Sequence, residues 1–223
     1  MQAVRRGEGS DLVVGIRLSG EEKAHEGLTI DDFLPIIKKV RIKFPSLWLS
    51  VNFLAETGKV AFPILSDLSS QDCFIDGYWG DDACIDENGV NIEAKIISKI
   101  RNDSGWKGLY FGGTAFKKQR IIPQEKYGDA ARYATQFMDV VTTSGIATGI
   151  EADISKIKTF RSSIGDRVLA IASVITVENA KMYSIADCFM VATGINYEND
   201  FYEVDHKKLS KLLLVCRQIG IGE

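Results

Sequence analysis

The chain has 223 residues, of which 45% are hydrophobic and 26% charged, and its formal net charge at pH 7 is −3. This composition is typical of a globular protein, and the acidic balance argues against a nucleic-acid-binding module, which would need a basic patch. No uninterrupted apolar run approaches the roughly 20 residues of a membrane-spanning helix. The first residues do not form a charged-then-apolar leader. We therefore expect a cytoplasmic protein without a transmembrane segment or a nucleic-acid partner.

Residue types that carry metal and nucleophile chemistry are scarce. The four cysteines form neither a CxxC motif nor a metal-ligand spacing, and we expect reduced thiols at Cys73, Cys84, Cys188 and Cys216. Of the two histidines, His25 falls in a predicted loop and His206 beside the start of the last predicted helix. The sequence therefore gives no support to a Ser-His-Asp triad.

In chain order, apolar strand-like runs alternate with segments of helical periodicity. LVVGIRL predicts a strand that ends at Leu18, and Thr29 caps a helix in which apolar residues recur from Phe33 to Val40. LWLSVNFL predicts the next strand, and a weaker helix candidate follows around Phe62 to Leu68. A strand starts at Tyr78 and Trp79. Asn91 then opens a helix whose predicted inner face carries Ile92, Ile96, Ile97 and Ile100.

The second half repeats this alternation more clearly. WKGLYFGG predicts a strand that ends in Gly112 and Gly113, and a helical pattern lies between Gln124 and Phe137. Three further strand runs, MDVVTTSG, DRVLAIASVIT and ADCFMVATGIN, end in small hydroxylated residues and glycine. A helix pattern follows each run. Thr176 caps the second of these helices, and the last one follows Asp205.

Seven predicted strands thus alternate with seven helices in a single α/β domain, residues 1–223. The strand runs are continuously apolar, which is typical of a parallel sheet covered on both faces. A doubly wound open sheet and a (β/α)8 barrel both fit this order, but no GxGxxG or GxxxxGK[ST] motif follows the first strand. A small residue paired with aspartate also recurs near strand starts, at Ser10–Asp11, Asp76–Gly77 and Ala186–Asp187. We therefore predict a TIM (β/α)8-type barrel.

Seven strands are one fewer than a TIM barrel needs. Met1 to Gly9 has the character of a helix tail, so we hypothesise that the chain lacks the first βα unit. The missing strand would leave an unpaired edge in a sheet that must close. A partner chain, the N-terminal segment or an open barrel would resolve this, and we consider a homo-oligomer formed through the open edge.

Several segments resemble the BtpA-type family of TIM barrels. The resemblance rests on WKGLYFGGTAFK, MDVVTTSG-x-ATG, AIAS-x-ITVEN and ADCFMVATGI, and it covers most of the chain from about Asp11. It implies a TIM barrel related to phosphate-binding barrels. Members of the family are described as photosystem assembly or stability factors or as predicted enzymes. One departure concerns Val174, where the phosphate-binding relatives carry glycine, because a side chain there crowds the approach of a phosphate to the backbone.

In a TIM barrel the ligand site lies at the C-terminal ends of the strands. The catalytic candidates there are Asp81, Asp82, Asn52 and Lys117, with Asp81 as the acid or base. The ligand-binding candidates are Arg17, Gly112, Gly113, Thr142, Thr143, Ser144, Gly145, Ser173, Thr193 and Gly194. The aspartate pair would also suit a divalent cation. Purely structural roles compete with all of these, because strand-end aspartates cap loops, loop lysines are commonly exposed, and hydroxyl runs form hydrogen-bonded turns. Asp86 and Glu87 lie further out and are expected to be solvated.

Two functions compete at this point. The first is an enzyme, a lyase, isomerase or transferase, that acts on a small anionic ligand such as a phosphorylated or sugar-phosphate-like metabolite. The second is a non-catalytic, BtpA-like assembly or stability protein with a degenerate phosphate site. The second is favoured by Val174 and by the missing unit.

Overall fold

A computed structural model describes most of the chain. The described residues are 2–5, 13–18, 30–53, 56–117, 119–147, 149–198, 200 and 203–221. For 2–5 and 13–18 the description is of the backbone alone. The predicted helix cap at Thr29 and the side chain of Arg17 therefore lie outside what is described.

Eight strands form a closed barrel in chain order. Their bounds are β1 Gln2–Arg5, β2 Val13–Leu18, β3 Leu49–Phe53, β4 Gly77–Gly80, β5 Leu109–Gly113, β6 Val140–Thr143, β7 Val168–Ile171 and β8 Cys188–Val191. Each strand from β2 to β8 pairs in parallel with the next. These are the seven strands predicted from the sequence. The predicted α/β barrel is thereby confirmed.

The eighth position of the barrel is filled by β1, which runs antiparallel to both of its neighbours. Gln2 is in register with Val14 of β2 on one side and with Val191 of β8 on the other. The prediction of a helix tail at Met1 to Gly9 was wrong for the residues of β1. Because β1 supplies backbone partners to both edges, the described strands leave no open edge, and oligomerisation through such an edge is not available. Of the three ways considered to resolve the edge, the N-terminal segment is the one adopted.

Most of the connections between successive strands from β2 onward contain an α-helix, which packs on the outside of the barrel. Within the described ranges the α-helices are α1 Ile30–Lys43, α2 Gly58–Ser70, α3 Ile92–Ser104, α4 Tyr127–Ala134, α5 Ile154–Ile164 and α6 His206–Gln218. Short 3₁₀ helices span Gln124–Lys126, Ala180–Tyr183 and Thr193–Ile195. None of the described helices is long and apolar enough to cross a membrane.

Two helix predictions need correction. The helix expected after Thr176 is only the 3₁₀ turn Ala180–Tyr183, although the Thr176 hydroxyl does accept the N–H of Glu178 at 3.2 Å. The predicted inner face of α3 is also incorrect in part, because Ile92 and Ile96 are exposed whereas Ile97 is buried. Spacing alone leaves the orientation of a helix undetermined when apolar residues occur on more than one face.

The apolar core has two layers, because successive side chains of each strand point alternately into the barrel and outward to the helices. One cluster contains no helix residues and fills the barrel interior with Trp79, Phe111, Val140, Ala170, Cys188 and Met190. The other joins the outward side of the strands to the helices, through residues such as Val51, Tyr78, Tyr110, Leu169 and Phe189. A strand residue's place in this alternation therefore tells whether it faces the barrel interior or the helices.

Arginine–aspartate pairs recur at the N-terminal ends of the strands. Arg41 pairs with Asp76, Arg101 with Asp139, and Arg161 with Asp187. In each pair the aspartate also accepts a backbone N–H at the start of the preceding strand, at 2.7 to 2.9 Å. Asp76 and Asp187 thus occupy equivalent positions around the barrel, as the sequence pattern predicted. The arrangement extends to Asp139, whereas Asp11 lies outside the described residues.

Candidate functional site

The C-terminal ends of the parallel strands bring part of the predicted site together. On β3, Val51 and Phe53 pack in the outer layer, so Asn52 faces the barrel interior. On β6, Val140 belongs to the interior cluster and Val141 to the outer one, so Thr142 also faces inward. The backbone of Arg17 is in register with Asn52 on the neighbouring strand.

Asn52 is almost fully buried, with 3% of its surface exposed. Its Nδ2 donates to the carbonyl oxygen of Trp79 at 2.6 Å. Its Oδ1 is buried and accepts no hydrogen bond from the residues that the structure describes. A buried acceptor left in this state costs about 1–3 kcal/mol, which a donor entering from the barrel mouth would offset.

The two aspartates after β4 occupy different environments. Asp82 is exposed, and its Oδ1 accepts the N–H of Cys84 at 2.7 Å, which is the loop-capping arrangement. Asp81 is partly buried, and its carbonyl oxygen accepts a hydrogen bond from the side-chain amide of Gln119. No group of three or more potential metal ligands occurs among the described residues. The divalent cation considered for the aspartate pair stays a prediction.

Lys117 extends from the loop after β5 across the end of β6. Its N–H donates to Ser144 Oγ at 2.8 Å, and its Nζ lies 3.5 Å from the carbonyl oxygen of Ala172, just beyond β7. The preceding Phe116 packs edge-on against Trp79, with ring centroids 5.6 Å apart, and so covers the interior cluster. A cationic group is thus held near the barrel mouth above an apolar floor.

The predicted hydroxyl run at the end of β6 is buried and internally bonded. Thr142, Thr143 and Ser144 are each 0% exposed. The Oγ1 atoms of Thr142 and Thr143 lie 3.4 and 3.5 Å from the carbonyl oxygens of Val140 and Ala115. Ser144 Oγ accepts from Lys117 and donates to the Gly145 carbonyl oxygen at 2.8 Å. The Thr143 and Ser144 hydroxyls therefore join the end of β6 to the loop after β5.

The predicted residues after β7 and β8 also bond within the protein. Ser173 Oγ donates to the Ile150 carbonyl oxygen at 2.7 Å, and Asn179 Nδ2 donates to that of Val174 at 2.9 Å. Thr193 starts the 3₁₀ helix Thr193–Ile195. A Cβ added to Gly194 would lie 1.9 Å from the Ile175 carbonyl oxygen, so this glycine permits close backbone packing.

Three other predicted glycines lie at similarly close approaches. A Cβ on Gly113 would lie 1.9 Å from the Asp81 carbonyl oxygen, and one on Gly145 would lie 2.7 Å from that of Ile150. Gly112 faces the outer layer, where a Cβ would lie 2.5 Å from Met138 Sδ. Close packing against other segments of the same chain therefore explains why these positions are glycine, and no ligand is needed to explain them.

Lys156 was not among the predicted residues, although it lies just behind the mouth. It is 6% exposed, and its Nζ donates to the carbonyl oxygens of Ala115 at 2.5 Å and Ser144 at 2.8 Å. Burial lowers its pKa to about 8, an effect that Asp153 opposes. A signal was present in the sequence, because Lys156 lies four residues before Phe160 and so shares its inward face of α5.

Glu87 is buried rather than solvated, which corrects the expectation for this residue. Its carboxylate forms a two-point ion pair with Arg120, including Nη1 to Oε1 at 2.9 Å. Arg120 accordingly holds the pKa of Glu87 below its ordinary value. Asp86 caps the same loop by accepting the N–H of Asn88 at 2.9 Å. The loops after β4 and β5 are therefore joined above the barrel.

An open cavity of about 360 Å³ lies at the opposite end of the barrel, between the end of α3 and the start of β5. It is lined by Arg101, Asn102, Gly105, Trp106 and Lys107. Arg101 is already paired with Asp139 there. Because ligand sites of such barrels lie at the C-terminal ends of the strands, we do not place the site in this cavity.

Comparison with known proteins identifies the fold but no family. No protein-family model and no curated protein matches the chain. A structure from Aquifex aeolicus VF5 aligns with 14% identity and a TM-score of 0.52, over 93% of this chain and 80% of that one.

Two further solved structures cover this chain equally well. A native KDPGal structure has 9% identity and a TM-score of 0.54, over 93% of this chain and 94% of that one. Phosphoribosyl anthranilate isomerase from Thermus thermophilus has 11% identity and a TM-score of 0.51, over 93% and 88% of the two chains. At these identities the likeness shows a TIM-barrel fold, and the BtpA-type family is not identified by it.

Proposed function

We propose that the protein is an enzyme that binds a small anionic metabolite, phosphorylated or sugar-phosphate-like, at the C-terminal ends of its barrel strands. The observation that carries this proposal is the buried Asn52 Oδ1, which accepts no hydrogen bond from the described residues. This acceptor lies near the C-terminal end of β3, where it suits a hydroxyl or amide group of a ligand. A hydrogen bond donated by the ligand would offset the cost of burying the Asn52 oxygen.

The other groups at the mouth support an anionic ligand and proton transfer. Lys117 supplies a positive charge near the end of β7. Asp81, partly buried at the end of β4, is the acid or base of the proposal, and such a group suits a lyase, isomerase or transferase. We place the anion beside Lys117 rather than on the loop after β7, since the Ser173 hydroxyl and the Val174 carbonyl oxygen are engaged within the protein there.

A ligand titration with matched variants tests the proposal. Thermal unfolding would be followed with inorganic phosphate and a panel of phosphorylated sugars, and the hit then titrated by NMR while the Asn52 side-chain amide is observed. We expect a raised Tm, a shift of the Asn52 amide signals, and ten- to hundredfold weaker binding in Lys117→Met, because a hydrogen bond to a charged group contributes about 1.5–3 kcal/mol.

The control for this titration is Lys107→Met, which changes a lysine at the opposite end of the barrel. It should bind like the wild type. If no compound raises Tm, or if Lys117→Met and Lys107→Met bind equally well, the proposed site is wrong.

A second candidate is a non-catalytic, BtpA-like assembly or stability protein. The observation in its favour is the loop after β7, where Val174 replaces the expected glycine and Asn179 bridges Val174 to Thr176. The side chain of Asn179 thus forms its hydrogen bonds within this loop, and the Val174 side chain crowds the backbone that a phosphate would have to approach. Light scattering and a pull-down under native conditions would test this candidate, and a monomer that captures no partner but binds the sugar phosphate would count against it.

A further inference from the structure

A buried amine lies behind the proposed site and donates hydrogen bonds to the backbone there. Lys156 Nζ is enclosed between α5, α4 and two strand ends, with the Tyr127 ring centroid 5.0 Å away and that of Phe160 5.8 Å away. Both of its hydrogen-bond acceptors are backbone carbonyl oxygens, those of Ala115 and Ser144. An ammonium group with three donors suits this position because it satisfies carbonyls from two separate segments at once.

The two carbonyls belong to the segments that place Lys117. Ala115 precedes Lys117 by two residues and has a φ of 47°, a left-handed conformation that a non-glycine residue adopts at some cost. Ser144 accepts the Lys117 N–H through its Oγ. Lys156 thus holds the left-handed turn after β5 against the end of β6, and Lys117 extends from this junction towards β7.

We propose that Lys156 is a positioning residue of the ligand site, which acts by holding the Ala115 and Ser144 carbonyls so that the Lys117 ammonium points across the barrel mouth. This inference rests on the proposed function, since it names the residue that presents the anion-binding group. Neither the fold comparison nor the strand-end pattern in the sequence points to it.

A double-mutant cycle with inorganic phosphate as the probe separates positioning from general support of the fold. The dissociation constant would be measured by NMR for the wild type, Lys156→Met, Lys117→Met and the double variant. We expect Lys156→Met to weaken phosphate binding at least fivefold in the wild type and to have no further effect in Lys117→Met, because the effect passes through Lys117. Lys158→Met, an exposed lysine on the same helix, is the control and should bind like the wild type.

The outcomes distinguish this inference from the proposed function. If Lys117→Met binds phosphate like the wild type, the proposed function fails. Suppose instead that Lys117→Met weakens phosphate binding but Lys156→Met does not. Only the role of Lys156 then fails. It fails likewise if Lys156→Met weakens binding by the same factor in the wild type and in Lys117→Met. Lys156→Arg keeps the charge and the donors, so it should retain more affinity than Lys156→Met.

Hydrogen exchange provides a measurement that needs neither a ligand nor a stable Lys156→Met protein. In the wild type we expect the Lys117 amide to exchange at least a hundredfold more slowly than an open loop amide, and Lys156→Gln to speed that exchange at least tenfold. A Lys117 amide that exchanges like an open loop in the wild type overturns the proposal. So does one that exchanges equally slowly in Lys156→Gln.

Discussion

The carboxylate of Asp187 accepts the N–H of Leu169 at 2.9 Å and pairs with the guanidinium of Arg161. A strand start, a helix and the next strand are joined at this one side chain. The same arrangement recurs at Asp76 and Asp139, so the N-terminal end of the barrel is held by a repeated polar contact. These contacts join strands to helices at the N-terminal end of the barrel, whereas the proposed ligand site is at the C-terminal end.

Replacing Asp187 by alanine should destabilise the protein by about 1–3 kcal/mol, because it removes the side-chain acceptor of the Leu169 N–H and the carboxylate that pairs with Arg161. Asp103→Ala is the matched control, since Asp103 pairs with Lys99 on the exposed surface of α3 and such pairs contribute about 0–1 kcal/mol. Urea unfolding gives both values. Equal losses in the two variants would contradict a special role for the strand-start aspartates.

The stability of the wild type should rise between pH 8 and pH 10.5 relative to that of Lys156→Met. Burial lowers the pKa of Lys156 from 10.5 to about 8, so within this window the unfolded chain binds the proton more tightly than the folded one. The full shift corresponds to about 3 kcal/mol, and the charged form carries this penalty below pH 8.

Urea unfolding at pH 7, 8, 9 and 10 measures the difference between the two proteins. Burial raises the pKa of the Cys84 and Cys216 thiols to about 11, which lowers stability as pH rises, but both proteins share this effect. Asp153, which faces Lys156, has a pKa below its ordinary value, chiefly because of its hydrogen bonds with Ser155, so it stays ionised throughout this pH range. A difference that does not vary with pH would show that Lys156 titrates normally.

Gly113→Ala should prevent folding or cost more than about 3 kcal/mol, because the new Cβ would lie 1.9 Å from the Asp81 carbonyl oxygen. Gly105→Ala provides the comparison. Gly105 has a φ of +71° but no atom near its added Cβ, so only backbone strain of about 1–2 kcal/mol applies. Thermal unfolding would rank the two variants, and an equal or smaller loss for Gly113→Ala would show that β4 and β5 can separate freely.

Glu87→Gln should destabilise the protein at neutral pH and have progressively less effect in acid. Arg120 lowers the pKa of Glu87, so the ionised carboxylate stabilises the fold above its ordinary pKa of 4.5, and that contribution is lost as pH falls further. Unfolding at pH 7, 5 and 3 tests this, with Asp82→Asn as an exposed loop control. A constant difference between wild type and Glu87→Gln across this range would contradict it.

The sequence by itself determined the order of the strands and the end of the barrel at which Asn52, Asp81 and Lys117 lie. Hydrophobic periodicity is a local property, and the C-terminal ends of parallel strands meet at one face whatever the details of packing. Asp76 and Asp187 were also visible as a pattern at strand starts, whereas Asp139 was not part of that pattern. The exposed side of α3 and the short 3₁₀ turn at Ala180–Tyr183 were not visible, because several orientations fit the same spacing.

Only the tertiary structure decided how the barrel closes and which polar groups are already engaged. The pairing of β1 with both β2 and β8 depends on the edges of two strands that lie far apart in sequence. The burial of Lys156 against Ala115 and Ser144, and the internal bonds of Ser173, depend on loops that meet only in the folded protein. Residue type and spacing give the hydrogen-bonding capacity of a side chain, but its partner is set by whatever the fold brings within about 3 Å of it.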